Sequence, residues 1–173
     1  MITNPQHRKL SAVKHTRRVA LLTGVVAILL LFTTACHHRP ATLQFQTLSS
    51  QGWRSVDTLR FDIDSLISAG TYNLHALVRT SAAHPYAFRQ LVVEVRQSWL
   101  PTGEEKVDTV EFQISATDGA IEGEGVTIFS YEMPTTTFHQ PIGSHAHVEL
   151  RHLMRRSPLK GISDVGICLK KEE

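Results

Sequence analysis

From residue 42 onward apolar side chains recur at every second position, and a chain patterned this way can bury them only by forming sheets. Leu59-Arg60-Phe61-Asp62-Ile63-Asp64 alternates cleanly. Residues 43–48 and 72–79 alternate more loosely, and 91–96, 107–114, 126–133, 146–153 and 165–169 continue the series. β-branched and aromatic residues dominate these runs. Turn formers separate them: Ser68-Ala69-Gly70, His84-Pro85, Pro101-Thr102-Gly103, Asp118-Gly119 and Pro141-Ile142-Gly143. No stretch sustains a helical apolar stripe over three turns, and residues 65–69 are expected to form one helical turn at most. The pattern predicts an all-β domain over residues 42–173, an antiparallel β-sandwich of jelly-roll type with about eight strands.

Ahead of that domain stands a segment of a different kind. Arg8, Lys9, Lys14, Arg17 and Arg18 make a basic start without a single acidic residue, and 19–32 is an apolar run broken only by Thr23 and Gly24. At about 14 residues the run is short of the roughly 20 needed to span a bilayer. Basic start, apolar centre and small residues before a cut site are the order of a signal peptide. Thr33-Thr34-Ala35-Cys36 has the form of a bacterial lipobox, with Thr33 where Leu is usual. The expectation is that residues 1–35 are removed between Ala35 and Cys36, that Cys36 carries lipid, and that 36–41 form a tether. Two or three acyl chains on one residue anchor a protein stably. No Asp follows Cys36 and no acidic cluster comes after it, which favours the periplasmic face of the outer membrane.

The charges bear on partners. The whole chain has 18 Lys+Arg against 16 Asp+Glu, but five of the basic residues and none of the acidic ones precede Cys36, so the mature chain carries a net charge of −3. A nucleic-acid partner, which requires a basic patch, is not expected. Cys36 and Cys168 are the two cysteines. With the first lipidated no intrachain disulfide forms, and Cys168, in an alternating run, reads as a small buried hydrophobe.

Candidate chemistry is sparse. His145 and His147 project from one face of a strand with Glu149 and Arg151, a spacing compatible with metal ligation. Cupins use such a pair, yet Gly143 and Glu149 lie too close for that pattern, and a polar outer face is the simpler reading. His37 and His38 belong to the tether. Glu122-Gly123-Glu124-Gly125 suits a tight loop better than a calcium or acid–base site. No Gly-x-Ser-x-Gly, His-Glu-x-x-His or phosphate-binding glycine loop occurs, so no catalytic residue, metal or cofactor is assigned and a small-molecule ligand is not expected. Trp53, Tyr86, Trp99 and Phe138 are candidates for a partner-facing or sugar-stacking surface, which keeps a glycan-binding lipoprotein as the alternative. Arg151, Arg155 and Arg156 read as a solvated edge.

The order of motifs resembles the gliding-motility lipoprotein GldH family of the Bacteroidetes. The resemblance runs through Trp53 with Asp57, Tyr72-Asn73-Leu74 leading to Arg79, Tyr86-Ala87-Phe88, Asp108-Thr109-Val110 and the glycines Gly119, Gly123 and Gly125. It is most specific in Met154-Arg155 and Leu159-Lys160-Gly161-Ile162-Ser163-Asp164-Val165-Gly166. Ala87 and Arg89-Gln90 stand where the family tends to have Pro and a following Asn. The resemblance implies a non-enzymatic envelope lipoprotein whose partners are the membrane, through its lipid, and other envelope proteins. For the segment 161–166 the residues themselves suggest a tight strand start, with a partner-binding loop as the other reading.

Overall fold

The alternation closes into two stacked antiparallel sheets in the computed structural model, which describes residues 41–172. Residues 1–35, Ala35 at the cut site, Cys36 and most of the tether therefore lie outside the described residues. Nine strands form: β1 (Thr42–Thr47), β2 (Leu59–Ile63), β3 (Gly70–Ser81), β4 (Gln90–Leu100), β5 (Glu104–Gln113), β6 (Glu124–Gly125), β7 (Ile128–Gln140), β8 (His145–His152) and β9 (Ile162–Lys171). One sheet runs β1-β9-β3-β7-β6 and the other β2-β8-β4-β5. The pairs β1·β9, β2·β8, β3·β7 and β4·β5 are all antiparallel and nest one inside the next. That is the jelly-roll winding expected, with two-residue β6 as the strand beyond the predicted eight. No helix occurs among the described residues, and 65–69 is a plain loop.

Inward positions of every long strand fill the space between the sheets. Leu74, Val78, Leu91, Val93, Val95, Val148, Leu150, Val165, Ile167 and Leu169 have no exposed surface, and each contributes about 1.5–3 kcal/mol of burial. Register is fixed because a one-residue slip would turn all of these outward. Cys168 is buried as predicted, but on the opposite face of β9 from Ile167 and Leu169, with Leu43 and His75 as cross-strand neighbours. Burial raises its thiol pKa, and nearby Glu132 adds to the rise.

β7 departs most from the sequence reading, which ended a strand at Met133. It continues through Pro134 to Gln140 because the register with β3 shifts between Asn73 and His75, making a bulge that accommodates the proline. The bulge delivers Thr135 and Thr136 to a polar seam between the sheets. Thr136 Oγ1 donates to Asp108 Oδ1 at 2.6 Å, and Thr135 Oγ1 donates to Leu74 O at 2.8 Å while accepting from Gln97 Nε2 at 3.0 Å.

The winding sorts the loops into two ends. The near end holds Ala41, where the described chain starts, with the loops 64–69, 101–103 and 141–144. The far end holds the loops 48–58, 82–89, 114–123 and 153–161, with β6 and the 126–127 turn.

Candidate partner-binding end

At the far end, loops distant in sequence are fastened backbone to backbone. Trp53 N donates to Leu159 O at 2.9 Å and Leu159 N returns a bond to Trp53 O at 2.8 Å. The Trp53 ring is 1% exposed, its Nε1 donates to Asp57 O at 2.9 Å, and the His152 ring meets it edge-on at 5.2 Å. Asp57 in turn holds Arg54, with Arg54 Nη2 2.7 Å from Oδ1, and hydrogen bonding from Arg54 lowers the carboxyl pKa. Ser55 N donates to Ser157 Oγ at 2.9 Å, closing the same two loops together.

A second fastening involves Gly161, whose φ is +89°. A Cβ there would stand 2.5 Å from both N and Cα of Tyr86, so the 82–89 loop lies directly on the glycine. Tyr86 is buried, donates its hydroxyl to Gln90 O at 3.2 Å and stacks edge-on with Phe88 at 5.4 Å; burial pushes its pKa up to about 12. Gly166 is needed for a different reason: β1 lies close against it, and a Cβ would be 2.3 Å from the Gln44 carbonyl oxygen and 2.6 Å from Phe45 Cδ1. Arg79 then lies over the Phe45 ring, 3.8 Å from its centre. Within the same segment Ser163 Oγ donates to Arg79 O at 3.2 Å, and Asp164 Oδ1 accepts from Thr47 Oγ1 at 2.7 Å. The glycines of the Gly161–Gly166 segment thus permit close backbone packing, while Asp164 bonds the Thr47 hydroxyl rather than a local backbone N–H.

Between the 48–58 loop and the 160–163 segment runs a groove of about 440 Å³. Leu48, Ser50 and Gly52 form one wall, Lys160 and Ile162 the other, and His84 stands at the rim. Hydroxyls, one lysine, one histidine and some apolar surface line it.

Other candidates are placed differently from expectation. Trp53, Tyr86, Trp99 and Phe138 form no exposed platform: they are 1%, 9%, 1% and 6% exposed. Trp99 packs on Phe138 at 4.7 Å and donates Nε1 to Gln97 Oε1 at 3.2 Å. Inside a sandwich, large aromatic area is worth more as core than as surface, so the sugar-stacking expectation is corrected. His145 and His147 do share a face with Glu149 and Arg151, but cross-strand hydrogen bonds and salt bridges occupy most of that face. His147 Nδ1 lies 2.6 Å from Asp62 Oδ1, and Arg60 Nε lies 2.9 Å from Glu149 Oε1. Arg151 binds both oxygens of Glu94, at 2.7 and 2.9 Å, which takes it out of any basic cluster with Arg155 and Arg156. Among the described residues no three His, Cys, Asp or Glu side chains are grouped to hold a metal. Glu122-Gly123-Glu124-Gly125 is a loop entering the β6–β7 pairing.

His152 makes the far end sensitive to acid. The Trp53 carbonyl can only accept, so Nε2, 3.2 Å away, carries the proton, leaving Nδ1 buried without a partner. Burial lowers the His152 pKa, and burial also lowers that of His75. The unfolded chain therefore takes up these protons first as pH falls below about 6.5, and stability is lost from there downward. Melting temperatures measured from pH 7.5 to 5 are expected to fall in the wild-type chain and to fall less steeply in His152→Gln.

The sequence comparisons bear on the same residues. A family model described as GldH lipoprotein matches residues 41–169. The gliding motility lipoprotein GldH of Flavobacterium johnsoniae is 23% identical over 158 residues, covering 87% of this chain and 97% of that protein. Solved structures with some likeness include a non-crystalline cellulose specific carbohydrate-binding module of family 28, at 9% identity and TM-score 0.43, covering 76% of this chain and 73% of that one. A family 35 carbohydrate-binding module from Clostridium thermocellum follows at 15% identity and TM-score 0.35, covering 75% and 90%.

Proposed function

The chain belongs to the GldH lipoprotein family, and on that premise we propose that it is a non-enzymatic, lipid-anchored envelope protein whose far end docks another envelope protein of a gliding-motility-type machinery. In this reading acyl chains on Cys36 hold it at the outer membrane, on the periplasmic face. The near end, where the described chain starts, then faces the bilayer and the far end faces away. One observation carries the docking half. The residues behind the family resemblance at Trp53, Asp57, Tyr86 and 159–163 converge on the far end and rigidify the groove there. A surface built from three interlocked loops is already organised, so binding forfeits little conformational entropy.

Photo-crosslinking in intact cells tests this. A benzophenone amino acid replacing Lys160 or His84, both exposed at the groove, is expected to give discrete adducts with one envelope protein. The same probe replacing Thr109, exposed on the outer face of β5, is expected to give none. Equal adducts from Thr109, or none from either groove position, would reject the far end as the docking surface.

A further inference from the structure

The near end carries exposed apolar side chains on loops that are locked to each other. Ile67 is 93% exposed, Ile142 67% and Leu100 43%. Their backbones are held in place. Leu66 N donates to Ser144 O and Gly143 N donates to Leu66 O, both at 2.8 Å, so the 64–69 and 141–144 loops are locked to each other. Leu66 and Ser144 are buried, while the neighbouring Ile67 and Ile142 project outward. Leu100 sits beside them, paired in register with His145 at the start of β8. Tyr72 stiffens the same loop by donating its hydroxyl to Ser68 O at 2.7 Å.

We propose that Ile67, Ile142 and Leu100 form a rigid apolar tip that inserts into the lipid interface beside the acyl anchor. The proposal rests on the reading that Cys36 is lipidated. Ala41 N donates to Leu169 O at 2.8 Å, which fixes the start of the described chain at this end. Four residues lie between Cys36 and Ala41, and the five steps of chain from one to the other reach at most about 18 Å. An anchored Cys36 therefore confines this end to the neighbourhood of the headgroups, where amphipathic surfaces bury apolar groups about 5–10 Å deep. Exposed Asp64 and Glu105 lie at the same end as Lys106 and Lys171, whose Nζ donates to Ser68 Oγ at 3.0 Å, so the charge there is mixed and the contact does not require anionic lipid.

The test uses the full, processed chain reconstituted in phosphatidylethanolamine–phosphatidylcholine vesicles that contain acyl-brominated lipid, a quencher confined to the bilayer. Trp53 and Trp99 are both buried and give a background common to every variant. Ile67→Trp and Ile142→Trp each add fluorescence at the tip, and Val56→Trp, at a position 79% exposed on the far end, serves as the control. Brominated lipid is expected to quench the added emission at 67 and 142 at least twofold and to leave that at 56 unchanged. Quenching at 67 and 142 no stronger than at 56 would overturn the proposal, as would shielding from aqueous iodide without lipid quenching, which means that a second copy of the chain covers the tip. Intact mass of the same preparations separates the two ideas. An acylated Cys36 without quenching rejects the tip alone, whereas an unacylated Cys36 rejects the anchor and the tip with it.

Discussion

Replacing Trp53 by alanine is expected to cost about 3–5 kcal/mol of stability, the range for removing a fully buried large aromatic side chain. Domains of this size are stable by only about 5–15 kcal/mol, so the loss takes a large share. Three features make this position severe. The ring is almost wholly buried against His152, its indole N–H is committed to Asp57 O, and its backbone is paired with Leu159 in both directions. The cavity has little means of closing, because both flanking loops are tied to each other. Trp53→Phe keeps most of the apolar bulk and loses the indole donor, so it is expected to cost less, about 1–2 kcal/mol. Urea titrations followed by far-ultraviolet circular dichroism would read both values from the shift in midpoint. A loss below about 1 kcal/mol for the alanine variant would mean that the far end does not depend on this corner. If the groove is the docking surface, the alanine variant should also lose the Lys160 crosslink at temperatures where it remains folded.

Much of the fold was legible because alternation is a strong constraint: period two names the buried face, and a buried face fixes register. What escaped the sequence depends on distant partners. Pro134 reads as the end of a strand, since proline supplies no N–H; only the bulge opposite Asn73 and His75 lets β7 run on. Trp53 lies in no alternating run, and its burial is decided by pairing with Leu159, far along the chain. An aromatic between strands is more often core, but an exposed platform stays open as the alternative until that pairing is known. Gly161 and Gly166 read as backbone requirements, and so they are, but the objects pressed against them, the 82–89 loop and the Gln44–Phe45 stretch of β1, carry no local sign. Ile67 and Ile142 were invisible for the opposite reason. Isolated apolar residues in turns are common and say nothing until the winding gathers them at one end.

The other large effect concerns Cys36. Cys36→Ala is expected to abolish incorporation of labelled palmitate, to leave residues 1–35 uncleaved and to shift the protein from the membrane pellet to the carbonate-soluble fraction. Each buried CH₂ of an acyl chain contributes about 0.8 kcal/mol, so two or three chains anchor the protein stably where one would hold it only marginally. What remains in the variant is the apolar run 19–32, which as a helix would be about 21 Å long against a hydrocarbon core of about 30 Å. A segment that short is a poor substitute for the lipid. Cys168→Ala is the matched control: its side chain is 5% exposed and pairs across strands with Leu43 and His75, so that variant should keep label, processing and membrane retention. Intact mass, palmitate labelling and carbonate extraction on the three chains give independent readings. A Cys36→Ala chain that is still cleaved before residue 36 and still pellets with membranes would show that something other than acyl chains holds this domain at the envelope.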